Sequence, residues 1–196
     1  MSNENKTVVV GMSGGVDSSV SAYLLKKQGF KVVGLFMQNW QSEPGEECSS
    51  VIDFSDASDV CDRLNIPLRS VNFSKQYWDR VFKNFLSEYE NGRTPNPDIL
   101  CNTEIKFKEF FDYAVRLGAK RIATGHYVQT KTHNENVLLM KGNDHLKDQS
   151  YFLHRLNQKQ ISSALFPIGK LKKKFVRTFA NKYKFLNSKK RDTNLN

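Results

Sequence analysis

The stretch GMSGGVDSS, residues 11–19, follows three consecutive valines, Val8 to Val10, and runs straight into a helical pattern. Gly14 and Gly15 lift the steric limits on the backbone there, so the chain can turn sharply and present several N–H groups on one concave side, which is how a loop binds an anion. Val16, Val20, Tyr23, Leu24 and Leu25 then recur at helical spacing, and Lys26, Lys27 and Gly29 close the segment, which predicts an amphipathic helix over 16–28. The loop therefore sits on a helix N-terminus, where unpaired N–H groups and the positive end of the dipole add. With the hydroxyls of Ser13, Ser18 and Ser19 beside them, phosphate is the natural ligand. Strand, Gly-rich turn and helix together predict a nucleotide site.

The loop also lacks something. No lysine lies between Lys6 and Lys26, so GxxxxGK[ST] is absent, and GxGxxG is absent as well. What the stretch does resemble is the SGGxDS loop of the ATP pyrophosphatase family, through Ser13, Gly14, Gly15, Asp17 and Ser18. That resemblance implies cleavage of ATP between the α- and β-phosphates, with AMP left on a substrate oxygen.

Four β-rich runs alternate with helical stretches: TVVVGM at 7–12, KVVGLFM at 31–37, LRSVNF at 68–73 and RIATGHY at 121–127. The helices between them are expected at 16–28, at 55–64 from a Ser55 cap, at 74–91 from Ser74 to Gly92, and at 103–117 from Thr103 to Gly118. Such alternation predicts an α/β fold, a Rossmann-like parallel sheet with helices on both faces, and ligands at the carboxyl ends of its strands. The apolar run NVLLMKG at 136–142 is expected as a hairpin partner of an extended fourth strand. QSYFLHRLNQKQISSALF at 149–166 and KKKFVRTFANKYKF at 172–185 read as two further helices. The domains expected are thus a nucleotide domain over 1–142, the start of a helical second domain over 143–186, and an end without structure from Asn187.

The net charge of +10 belongs to one end of the chain. Residues 170–196 carry ten lysines and arginines against the single acid Asp192, whereas the rest of the chain is nearly balanced. A lysine-rich end of this kind suits either an RNA phosphate surface or a solvated helix. No apolar run approaches the roughly 18 residues of a membrane span, and the N-terminus MSNENK has no signal-peptide pattern, so a cytoplasmic protein without a membrane partner is expected. The three cysteines, Cys48, Cys61 and Cys101, form no CxxC pair and indicate neither a disulfide scaffold nor a zinc site.

The second informative stretch is ENGRTPNPDILCNTEIKF, residues 90–107. Pro95 and Pro97 bracket Asn96 and push their preceding residues out of helix, so Thr94 to Asp98 is expected to be extended and exposed. Cys101 then lies just before the Thr103 cap, where a helix dipole would favour its thiolate, with Lys106 and Lys108 one to two turns on. On spacing alone, a buried small hydrophobe is the competing reading of Cys101.

RTPNPDILCNTEIKF, together with GMSGGVDSS, ATGHY at 123–127 and KDQSYFL at 147–153, is similar to the bacterial tRNA-specific 2-thiouridylases, from about residue 7 to about residue 190. The resemblance implies an adenine nucleotide alpha hydrolase (HUP-type) fold and an enzyme that places sulfur on C2 of the wobble uridine in tRNAs for lysine, glutamate and glutamine. It implies that Gly11, Met12, Ser13, Gly14, Gly15, Val16, Asp17 and Ser18 bind the ATP phosphates, and that Met37 and Gly125 contact the adenosine part. Asn96, Pro97 and Asp98 would meet the target base, and Lys147, Asp148 and Gln149 the tRNA. Mg²⁺ would bridge the phosphates, with Asp17 to hold or orient it. AMP transferred to the uracil O2 makes that oxygen a leaving group that sulfur can displace. Cys101 would act as acid and afterwards as nucleophile toward a persulfide cysteine loaded by a sulfur-relay protein, and Asp98 as a proton-transfer group. A monomer on one tRNA is expected.

The sequence departs from that pattern in having no cysteine after Cys101. Cys48 sits among glutamates that oppose a thiolate, and Cys61 falls on the apolar side of a short helix. The expectation is therefore a truncated or frame-shifted thiouridylase that keeps the ATP domain. Two other classes compete: an ATP- and RNA-binding module without turnover, and an amidating synthetase, which explains neither NPDILCN nor KDQ.

Overall fold

Valines at 8, 9 and 10 place Val8 and Val10 in one hydrophobic cluster and Val9 in another, so the first strand is buried on both faces. A strand apolar on both sides needs helices on both sides, and that requirement organises the chain. The computed structural model describes residues 6–40 and 49–191. Its main sheet has five parallel strands in the order β3-β2-β1-β4-β7: β1 Thr7–Met12, β2 Lys31–Gln38, β3 Leu68–Asn72, β4 Arg121–Ala123 and β7 Ala164–Leu165. Helices α1 (Val16–Lys27) and α2 (Ser49–Leu64) cover one face, where Val20, Tyr23, Val60 and Cys61 pack with Val8 and Val10. On the other face Ile105, Phe107 and Phe110 pack on Val9, Leu35 and Ile122.

The order matters for function. From β1 the chain steps through α1 to β2 and through α2 to β3, all on one side, and then returns to lay β4 on the opposite side of β1. The switch point lies between β1 and β4, and there the loops leaving the two strands part and open a crevice.

Several elements differ from the sequence-based expectation. Helix α2 starts at Ser49, before the expected Ser55 cap. Two helical lines contain π-helical stretches: α3 Ser74–Tyr77 continues through Trp78–Phe82 into α4 Lys83–Glu90, and α5 Pro97–Leu100 continues through Cys101–Glu109 into α6 Phe110–Arg116. The expected extended fourth strand is two strands: β4 stops at Ala123, and Val128–His133 (β5) pairs with Asn136–Lys141 (β6) in a separate antiparallel hairpin. The helix expected over 149–166 is a 3₁₀ turn at Ser150–Leu153, a short α7 at Gln158–Ser162 with an Asn157–Gln160 capping box, and then β7. Helix α8, Lys173–Lys182, buries Val176 and Ala180 in the same cluster as α1. Residues expected to begin a second helical domain thus supply the sheet's edge strand and cover one of its faces.

Asn187, where the chain was expected to lose structure, is 3 % exposed and lies in a 3₁₀ turn, Leu186–Lys189. Cys48 and residues 192–196 lie outside the described residues. No helix among the described residues is long and apolar enough to cross a membrane.

Candidate nucleotide and base cleft

The loop after β1 is braced by its own serines. Ser18 Oγ donates to the Gly15 carbonyl at 3.0 Å and Ser19 Oγ to the same oxygen at 2.8 Å, while the Ser13 N–H donates to Ser18 Oγ at 3.3 Å. Gly14 takes φ +69°, and a Cβ there would stand 2.4 Å from the Asp53 carbonyl oxygen, so both conformation and space demand glycine. Gly15 is the N-cap of α1 and no side chain caps that helix, which leaves its first turn facing the crevice as a phosphate site requires. From below, Asn187 Nδ2 donates to the Gly14 carbonyl at 2.8 Å and to Ser19 Oγ at 3.0 Å. Lys190 then ties this turn to Asp53 (2.6 Å) and Asp56 (2.5 Å) of α2. Burial opposes the Lys190 ammonium, yet the two carboxylates hold its pKa above the usual lysine range. Part of the basic C-terminal charge therefore works inside the fold, including Arg177, which donates to the Ser188 and Lys190 carbonyls.

Asp17, in the first turn of α1, receives a hydrogen bond from the Tyr127 hydroxyl at 2.8 Å and two from Lys173 Nζ, both at 2.8 Å. As it stands this carboxylate does not fit a magnesium ion: both oxygens are taken, and an ammonium occupies the place a cation would face. Among the described residues no group of three or more His, Cys, Asp or Glu side chains could hold a metal.

A cleft of about 250 Å³ opens at the switch point. Gly11, Ser13, Asp17 and Ser18 line it from the loop, Met37 from β2, and Gly125 from the turn after β4. Gly125 lets that turn press on α1, since a Cβ there would lie 2.8 Å from both Asp17 C and Ser18 N. Gln149 reaches the cleft from the far side and is held there by Tyr127, whose N–H donates to Gln149 Oε1 at 2.9 Å. The fourth wall is the Pro97 helix, through Asp98, Asn102 and Lys106 at four-residue spacing.

The structure thus brings together eight of the expected site residues and leaves others outside. Met12 and Val16 are core, Gly14 and Gly15 shape the loop without lining the cleft, and Asp148 is spent on the Gly142 N–H and the Ser150 hydroxyl. Lys147 does not line the cleft, and neither does Asn96 or Pro97. The expectation that Thr94 to Asp98 is extended fails at its end: Pro97 occupies the first helical turn, where its missing N–H costs nothing, and Asn96 caps that helix by accepting from the Asp98 N–H at 3.0 Å. Thr103 is accordingly mid-helix, its hydroxyl donating to the Ile99 carbonyl.

Cys101 changes character with that shift. It lies inside the helical line, 7 % exposed, and burial pushes its pKa up, with Lys106 pulling the other way and Asp98 adding to the rise. The thiol, not the thiolate, is the resting form. Burial pushes the pKa of the Tyr77 hydroxyl up, and Cys101 and Asp98 add to the rise. Cys61, the other described free cysteine, belongs to the cluster on the opposite face of the sheet and is pushed up to about 12.

Sequence reasoning missed Asn102, Lys106, Thr124, His126 and Phe152, all of which line the cleft. Asn102 and Lys106 were legible as Asp98 plus four and plus eight once the helix starts at Pro97. His126 shares a 2.8 Å hydrogen bond with Thr124 Oγ1, and its pKa is pushed down to about 3, by burial first and by the Lys106 ammonium second, so the imidazole is neutral at pH 7.

Comparison with known proteins bears on the family and the fold. The chain is 60 % identical over 187 residues to the tRNA-specific 2-thiouridylase MnmA of Nitrosomonas eutropha, covering 95 % of this chain and 52 % of that protein. It is 56 % identical over 193 residues to the MnmA of Proteus mirabilis, covering 97 % and 53 %. The chain spans about half the length of the curated relatives it matches. Among solved structures, a 4-thiouridine synthetase in complex with RNA and bound ATP shares the fold, with a TM-score of 0.64, 17 % identity, and coverage of 95 % of this chain and 43 % of that one. The profile described as the tRNA methyl transferase HUP domain matches residues 6–195, and by that match the chain belongs to this family.

Proposed function

We propose that this chain is the uridine-adenylating part of a tRNA 2-thiouridine synthase. One observation carries the reading: a single cleft joins the phosphate loop, through Ser13, Asp17 and Ser18, to the Cys101 helix, through Asp98 and Asn102. ATP lies with its phosphates on the first turn of α1 and its adenosine toward Met37 and Gly125. A uridine extruded from a tRNA anticodon loop enters from the Asp98 side. Its O2 attacks the α-phosphorus, the bond to pyrophosphate breaks, and AMP remains on O2. A sulfur nucleophile then displaces AMP from C2. Lys173 balances the charge of Asp17 beside the phosphates, and neutral His126 offers no charge that would compete for them. Cys101 stays a thiol until the reaction needs it, which suits a proton donor before a nucleophile.

The family description speaks of methyl transfer and the curated relatives' name of thiolation. Thiolation is the better supported, because the relatives are 60 % and 56 % identical to this chain and the cleft is walled by a cysteine-bearing helix. The wobble uridine of tRNAs for lysine, glutamate and glutamine and a persulfide from a relay protein belong to the proposal. The burial of Cys101 favours one second reading, an ATP- and tRNA-binding module without turnover.

The test is to incubate the protein with ATP, Mg²⁺, unmodified tRNA for glutamate and inorganic sulfide, following pyrophosphate release and 2-thiouridine by mass spectrometry. Formation of 2-thiouridine that is lost in Asp17→Ala supports the adenylating reading. Binding of ATP and tRNA without pyrophosphate release supports the module.

A further inference from the structure

Three asparagine side chains among the described residues have a buried oxygen without a partner, and of the three residues only Asn102 lines the cleft. Asn102 is 1 % exposed. Its Nδ2 donates to the Phe152 carbonyl at 3.3 Å, and because only the nitrogen end of an amide can donate to a carbonyl, that bond fixes which way the amide points. Oδ1 is therefore the end left over, and it has no hydrogen-bond partner among the described residues. A buried acceptor without a donor is rare in folded proteins, and at a cleft wall it calls for a donor from the ligand.

The surroundings narrow the donor. Asn96, the amide expected to meet the target base, is occupied as a helix cap. Asn102 stands one residue from Cys101 and one helical turn from Asp98 on the same wall, opposite the phosphate loop. Uracil carries one hydrogen-bond donor on its ring edge, N3–H, next to the C2 oxygen. Cytosine has a lone pair at that position. An acceptor at N3 thus accepts uracil, repels cytosine, and holds O2, carried by the adjacent ring carbon, close to the contact.

Building on the uridine reading above, we propose that Asn102 Oδ1 accepts the N3–H of the target uracil, which makes Asn102 the residue that selects uridine over cytidine and orients O2 toward the α-phosphate. Adenine N6 is the other nucleobase donor that reaches this cleft, and the experiment separates the two.

Equilibrium binding is measured for short anticodon stem-loop RNAs carrying uridine, cytidine or 3-methyluridine at the target position; the last lacks N3–H and keeps both carbonyls. The wild-type protein is expected to bind the uridine RNA about ten- to a hundredfold more tightly than the other two, the scale of leaving one buried acceptor unpaired. Asn102→Ala is expected to bind all three alike while its affinity ratio for ATP over purine riboside triphosphate, which lacks the 6-amino group, stays at the wild-type value. Equal wild-type binding of uridine and 3-methyluridine RNAs overturns the inference alone, and needs no variant to fold. A variant that keeps uridine selectivity but loses the preference for ATP also overturns it and assigns Oδ1 to adenine. Failure of the wild-type protein to bind any of the RNAs overturns the RNA reading and this inference with it.

Discussion

Replacing Gly125 by alanine tests how the cleft is built. The added Cβ would meet Asp17 C and Ser18 N at 2.8 Å and Asp17 Cβ at 3.0 Å. Ordinary contact begins near 3.4 Å, so the turn after β4 and the start of α1 must separate by about 0.6 Å, and two of the three atoms met belong to helix backbone that cannot rotate away. Overpacking of this kind costs about 1–3 kcal/mol. For a chain of this size that lowers Tm by about 2–4 °C per kcal/mol, hence by about 6 °C in the middle of the range. The displaced atoms carry the turn proposed to hold the phosphates, so nucleotide affinity should fall by about tenfold or more. Thermal unfolding gives the first number and titration with a non-hydrolysable ATP analogue the second. Gly118→Ala is the control: at φ +81° it should also lower Tm, but far from the cleft it should leave nucleotide affinity alone. A Gly125→Ala protein with wild-type Tm and wild-type affinity would refute the close approach of turn and helix.

Asn187→Ala should loosen the phosphate loop by stranding the Gly14 carbonyl, costing about 1–3 kcal/mol, and Asn187→Asp should be worse, because it sets an acceptor against an acceptor; chemical denaturation ranks the two. Breaking the Lys173–Asp17 pair should show a coupling of about 1–2 kcal/mol in a double-mutant cycle of Lys173→Met with Asp17→Asn, and additive single effects would deny it. His126 is a base whose folded pKa lies below its unfolded one, so its contribution is intact above pH 6.5 and drains away as pH falls toward about 3. Between pH 7 and pH 5 His126→Asn should lose about 1–2 kcal/mol less stability than the wild type, and parallel losses would contradict the assignment. Iodoacetamide should label Cys101 slowly at pH 8 in the native protein and quickly in urea; rapid native labelling would restore the thiolate expectation.

The parallel sheet and the glycine turn between β1 and α1 were legible because the cues there are local: β-branched runs, a glycine pair, a helical period. What was missed has non-local causes. Strand β7 is two residues, Ala164 and Leu165, that pair only because Ile122 and Ala123 offer an open edge. Their helical surroundings hid them from any periodicity. The Cys101 helix was started six residues late because Pro97 was read as a breaker when it stood at the first turn, a position it favours. That slip concealed Asn102, and of the two readings the spacing left open for Cys101 the structure shows the buried small hydrophobe. The segment 187–191 has no period at all and is held by polar contacts of Asn187 and Lys190 with Gly14, Ser19, Asp53 and Asp56, which lie more than 130 residues away.

Those contacts also impose an order in time. The loop after β1 is synthesised long before its floor, because the bond beneath it closes between residues separated by 173 positions. Chains emerge N-terminus first, and contacts of long sequence separation form late. β1, the loop and α1 can therefore collapse early while the floor of the loop waits for residue 187, so the loop is braced from below only after the whole sheet, β1 to β7, has left the ribosome.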